Sequence, residues 1–142
     1  ALEPDARNFK KLKKNTENLR DISLINGAVS DKDGVIKMSK NKGRGNSSTG
    51  KTTEIKAFSV DTAIKENQPT FIKMDVEGCE LSAIKGAKNT LKEKPKMQIA
   101  CYHRSEDLLK IPLKILKINP NYKIYMRRQR SLPAWDINYI FI

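Results

Sequence analysis

Between residues 70 and 118 the sequence reads strand, turn, helix, strand, helix, and this order limits the possible folds more than any other feature. Residues 70–76 (TFIKMDV) form a short apolar run that Glu77-Gly78 ends. Leu81, Ile84 and Leu91 then recur on one face of a helix, with Ala83, Gly86 and Ala87 small enough to let it pack closely on a sheet. Residues 96–102 (KMQIACY) read as the next strand. The helix after it carries Leu108, Leu109, Leu113 and Leu116 among its apolar positions, and Pro112 predicts a kink or break there. Strands alternating with helices imply parallel pairing and an α/β fold. Residues 122–127 and 135–142 read as two final strands, the second so continuously apolar towards its end that it belongs inside a sheet. No internal repeat is visible.

The first half is less regular. Glu3-Pro4-Asp5 ends a strand stub and opens a helix, because proline suits a first turn and an acidic side chain favours its positive end. Phe9 and Leu12 share one face of that helix, and Lys10, Lys11, Lys13 and Lys14 cover the others. Residues 21–29 read as a strand closing near Asn26-Gly27, and the turn residues Asp31 to Gly34 predict a hairpin return over 35–38. Residues 39–52 are polar and unpatterned, an expected mobile loop. Alternation over 53–60 predicts a further strand, with Asp61 capping a short helix.

Composition narrows the function classes. At 142 residues the expectation is one domain over 1–142. No run approaches the roughly 20 apolar residues of a membrane helix, and no signal peptide opens the chain, so a cytoplasmic location is expected. Net charge is 28 − 16 = +12, which suits a nucleic-acid or anionic-surface partner, but the lysines are scattered and nucleic acid is not the favoured partner. Arg127, Arg128 and Arg130 are the cluster to watch. Cys79 and Cys101 lack metal-ligand spacing and read as reduced core thiols. Residues 45–52 match GxxxxGK[ST], but a phosphate loop needs an apolar strand before it and a helix after it, and neither is predicted.

In open parallel sheets, ligands bind beyond the carboxyl ends of the strands. The stub delivers Glu3 there, the 70–76 strand Asp75 with Glu77, and the 96–102 strand Tyr102 with His103, the chain's single histidine. These ends are expected to converge on one rim. His103 beside Asp75 is a candidate general base. Asp75, Glu77 and His103 have ligand chemistry for a divalent ion, but no spacing demands one and no metal is assigned. Glu80, one turn into the helix, reads as structural.

The run Phe71 to Leu81 (FIKMDVEGCEL), followed by Ile84-Lys85-Gly86-Ala87, resembles the signature block of FkbM-type methyltransferases. Leu2-Glu3-Pro4-Asp5 with Asn8-Phe9, Leu12 and Asn15 upstream resembles the family's segment after its second strand, and Tyr102 to Leu108, Ile111-Pro112 and Asn119 to Tyr122 downstream extend the likeness over nearly the whole chain. The resemblance implies a Rossmann-like class I fold, a three-layer sandwich with a mostly parallel sheet and an antiparallel C-terminal strand. It also implies S-adenosylmethionine as methyl donor and a hydroxyl of a sugar, glycolipid or secondary metabolite as acceptor. Glu3 matches the carboxylate that accepts both ribose hydroxyls, Ala28 and Val29 fall where the adenine is lined, and Asp75 falls near the transferring methyl. The family's first strand and its Gly-rich turn have no counterpart, so the chain is expected to lack the first βα unit of the domain and to be inactive by itself. The alternatives are a truncated basic domain that binds nucleic acid or an anionic surface, and an RNA methyltransferase.

Overall fold

In the computed structural model, residues 1–39, 52–65, 67–128 and 137–142 are described. Most of the expected 39–52 loop, nearly all of the GxxxxGK[ST] match, Arg130 and Trp135 lie outside them. Contacts group the chain into two compact units, one of residues 1–28 and 32–58, the other of residues 29–31 and 59–142.

In the first unit, β1 (Leu2–Glu3) pairs in parallel with β2 (Ile25–Asn26). Between them runs α1 (Ala6–Asn15), whose first turn is closed by the Asp5 carboxylate accepting from the N–H groups of Arg7 and Asn8. Phe9 and Leu12 are half-buried and the four lysines are exposed, as the pattern predicts. The 21–29 strand is realised as two short pieces, β2 and β3 (Ala28–Ser30), separated at Gly27. The predicted return strand exists as β4 (Gly34–Ser39), but it pairs antiparallel with the following β5 (Thr52–Ser59), from Gly34 opposite Ala57 to Ser39 opposite Thr52. A strand, not a helix, thus follows the GxxxxGK[ST] match.

The second unit holds the main core. After α2 (Val60–Ile64), β6 (Phe71–Met74) pairs in parallel with β7 (Lys96–Ala100). β8 (Ile124–Arg128) and β9 (Ile137–Phe141) complete a sheet in the order β6-β7-β9-β8, with β9 antiparallel to both neighbours. β9 is therefore interior, as its apolar run predicts. Of the ladders whose register is described, two are parallel and three antiparallel, so the fold is α/β with mixed sheets.

The helix expected after β6 is two, α3 (Glu80–Lys85) and α4 (Lys88–Lys92). The break falls at Gly86, where backbone meets backbone: a Cβ there would lie 2.2 Å from the carbonyl oxygen of Ser30. Asp61 does not cap its own helix, which Ser59 does; it caps α4, accepting from the N–H of Asn89 and the N–H and hydroxyl of Thr90. α5 (Asp107–Ile118) runs through Pro112 without a break. It buries Ile111 and Ile115, and Leu116 packs against the core, while Leu109 and Leu113 are 71% and 66% exposed. Ile84, Leu91, Ile99, Ile111, Ile115 and Phe141 form the centre of the core, each removed from water at roughly 25 cal/mol per Å². Among the described residues, no helix is long and apolar enough to cross a membrane.

Candidate active site

Two neighbouring parallel strands bring the second unit's polar groups together. β6 ends at Met74 opposite Ile99 of β7, so Asp75 and the Tyr102-His103 pair leave the sheet side by side. The chain then turns sharply after Val76. Glu77 sits at φ 54° and Gly78 at φ 90°, both in the left-handed region that favours glycine. A Cβ on Gly78 would lie 3.0 Å from Nε of Arg104 and 3.7 Å from Cβ of His103, so this turn lies directly against the segment that carries the imidazole. The turn feeds α3, whose first residue is Glu80.

His103 is the hub. Its Nδ1 lies 2.9 Å from Oε1 of Glu80. Its Nε2 lies 3.4 Å from Oδ1 of Asp75 and 3.5 Å from Oε2 of Glu77. The imidazole is 10% exposed, Asp75 41%, Glu77 90% and Glu80 0%, so the cluster grades from solvent to core. The Tyr102 hydroxyl donates long hydrogen bonds to both oxygens of Asp75, at 3.3 and 3.4 Å, and its ring leans on the imidazole with centroids 4.2 Å apart.

The floor of this cluster is unusually acidic for a core. Glu80 Oε1 accepts from the N–H of Val76 as well, while Glu80 Oε2 and Asp107 Oδ2 are buried without a hydrogen-bond partner. Burial, and then the neighbouring Glu80 carboxylate, hold the Asp107 carboxyl above its ordinary range. Burial, followed by Asp107 and Glu80, pushes the Cys101 thiol up to about 11. Cys101 is a core thiol as expected, whereas Cys79 is exposed. For a cation, the grouping within reach among the described residues is Asp75, Glu80 and His103, with one ligand atom from each inside 4.8 Å of the others.

Glu3 belongs to the first unit. Its Oε1 accepts from the N–H of Asp5, 2.8 Å away, at the mouth of α1. Beside it a cavity of about 490 Å³ is lined by Pro4, Asp5, Asn26, Met38 and Ile55 among others, a volume that suits a small ligand. Ala28 is half-buried on β3; Val29, next to it, packs against the core of the second unit.

The sequence profile of the Methyltransferase FkbM domain matches residues 1–124. The chain belongs to this family. A crystal structure of methyltransferase FkbM from Methylobacillus flagellatus KT is similar to it, with 32% sequence identity and a TM-score of 0.80 over 99% of the chain. The chain spans 35% of that protein's length. Among curated proteins no match is found.

Within this FkbM domain, the structure brings together Asp75, Glu77 and His103, and it adds Glu80, which sequence reasoning set aside. The signal for Glu80 was present. Glu80, Ala83 and Ile84 are all buried on α3, so Glu80 is an acid on an apolar stripe. A carboxylate in that position requires a partner. The lining of the first unit's cavity by Met38 and Ile55 was not legible, because it depends on how β4 and β5 pair.

Proposed function

We propose that this FkbM domain transfers a methyl group from S-adenosylmethionine to a hydroxyl oxygen of a sugar, glycolipid or secondary metabolite, with His103 as the general base. When bound, the donor supplies a methyl on a sulfonium, whose carbon–sulfur bond breaks, leaving the electron pair on sulfur, as the oxygen–carbon bond forms. The chain's own residues must hold the acceptor, exclude water and take its proton. His103 Nε2 accepts that proton, and the Asp75 and Glu77 carboxylates on either side of Nε2 then face an imidazolium they stabilise. Asp75 also orients the acceptor hydroxyl, and the Tyr102 hydroxyl restrains Asp75 from behind.

For the donor, Glu3 offers a carboxylate oxygen pair to a ribose diol. The cavity flanked by Pro4, Asp5 and Asn26 has room for a nucleoside, and Ala28 and Val29 are the residues that the family resemblance gives to the adenine. The observation that carries this reading is the imidazole held at the ends of two adjacent parallel strands with two carboxylates at its outer nitrogen. The test is transfer of labelled methyl from S-adenosylmethionine to a panel of hydroxylated glycans and small molecules. His103→Gln is expected to lower turnover ~10²–10⁴-fold, the range for loss of a general base. Unchanged turnover in that variant would remove His103 from the reaction.

A further inference from the structure

The two nitrogens of His103 stand in different situations. Nδ1 is 2.9 Å from Glu80 Oε1, within the range of an N–H···O hydrogen bond. Nε2 is 3.4 and 3.5 Å from its nearest carboxylate oxygens, outside that range. A single ring proton therefore finds its partner on the Glu80 side.

Glu80 is well placed to fix this choice. It is wholly buried, so its orientation is set by packing and not by solvent. Its Oε1 is also pinned by the N–H of Val76, 3.0 Å away, at the point where the chain leaves β6. The Val76 bond closes the turn into α3. The imidazole bond goes further, tying the exit of β6 to the exit of β7 through one oxygen atom. Among the described residues, the Oε2 of this buried carboxylate has no hydrogen-bond partner. A proton arriving at Nε2 makes the ring cationic and sets a positive charge beside this buried carboxylate, whose Oε1 is 2.9 Å from Nδ1.

We propose that Glu80 is a positioning residue that holds His103 in the Nδ1–H tautomer, so that a bare Nε2 lone pair points toward Asp75 and Glu77 and out to the acceptor. This rests on the base role given to His103 above. Glu80 touches no reacting atom; it acts through the ring by setting which nitrogen is free and by stabilising the imidazolium once Nε2 has taken the acceptor's proton.

The chain contains one histidine, so the ring can be read alone. The untagged 142-residue chain, labelled with ¹⁵N-histidine, is examined by NMR correlation of the ring nitrogens with the ring carbon-bound protons, up to about pH 9 so that the neutral ring is sampled. The expected result is one protonated-type nitrogen at Nδ1 and one bare-type nitrogen at Nε2. Glu80→Leu removes the acceptor, and the tautomer ratio then moves toward Nε2–H by about tenfold or more, as for loss of a charge-assisted hydrogen bond. A predominant Nε2–H form, an even mixture, or a ring protonated on both nitrogens throughout in the unsubstituted chain overturns the proposal. That spectrum decides the matter even if Glu80→Leu does not fold. The readout needs no turnover, so its failure is separable from failure of the base reading, which the His103→Gln assay decides.

Discussion

Asp61 Oδ1 accepts hydrogen bonds from both the backbone N–H and the hydroxyl of Thr90, at 2.9 and 2.6 Å, across a sequence separation of 29. Oδ2 accepts from the N–H of Asn89. A residue in the first turn of α2 thus caps a different helix, α4, whose own N-cap position is Ala87 and supplies no side-chain bond. Burial acts to raise the Asp61 carboxyl, but the Thr90 and Asn89 bonds, with help from Lys92, outweigh it and leave the group below its ordinary value. A depressed carboxyl contributes stability that is present above the unfolded value near 3.9 and is lost as pH falls through the folded value. Asp61→Ala is expected to cost about 1–2 kcal/mol at neutral pH, with the deficit shrinking in acid, as read from urea unfolding at several pH values.

Gly86 lies against Ser30 with no room for a methyl, a Cβ there being 2.2 Å from the carbonyl oxygen. Its carbonyl also accepts from the N–H of Asp61. The obstacle is backbone and cannot rotate away. Gly86→Ala is expected to destabilise by about 2–3 kcal/mol in denaturant titration, even though alanine is the better helix former.

Glu77 holds a left-handed backbone at φ 54° without being glycine. That conformation costs an L-residue roughly 1–2 kcal/mol, and glycine would forgo part of the gain through its greater unfolded-state freedom. Glu77→Gly is expected to raise stability by about 0.5–1 kcal/mol while lowering methyl transfer, because the carboxylate facing Nε2 of His103 is gone. A stability gain without loss of transfer would leave Glu77 with no part in the reaction.

The two thiols differ sharply. Cys101 is fully buried, donates to the carbonyl of Ile137, and has its thiol pushed up to about 11. Cys79 is exposed. A chromogenic disulfide reagent at about pH 8 is expected to modify one thiol per native chain, at Cys79, with the second appearing only on unfolding. Mass mapping of the labelled chain checks the assignment.

Asp75 separates chemistry from binding. If it orients the acceptor hydroxyl, Asp75→Asn lowers turnover by ~10²-fold or more with donor affinity little changed, because the amide keeps the shape and loses the charge. Equal losses in turnover and donor affinity would move Asp75 from the reacting centre to a scaffolding role.

Much of this was legible in the sequence wherever signals are local. The strands 70–76 and 96–102 could be read from short apolar runs, and the meeting of Asp75 with His103 followed from the rule that adjacent parallel strands present their ends together. The interior position of β9 followed from its unbroken apolar residues. What escaped reading depends on partners far along the chain. Gly86, where the helix splits, lies against the backbone of Ser30, and the cap on α4 comes from Asp61. The pairing of β4 with β5 is set across residues 40–51. The apolar character of Leu109 and Leu113 does not say which face of α5 is buried; Ile111 and Ile115 are the buried residues. Glu80 was passed over because an acid near a helix start has an ordinary explanation, and only its complete burial against an imidazole distinguishes it.

The middle placement of β9 has a consequence for how this chain is made. β6 and β7 leave the ribosome well before residues 137–141, and among the described strands β8 pairs with β9 alone. At synthesis rates of roughly 5–20 residues per second, β7 waits about 2–7 s for its β9 partner and β8 about 0.5–2 s. A nascent chain stalled before Ile137 is therefore expected to be the form most in need of chaperone protection.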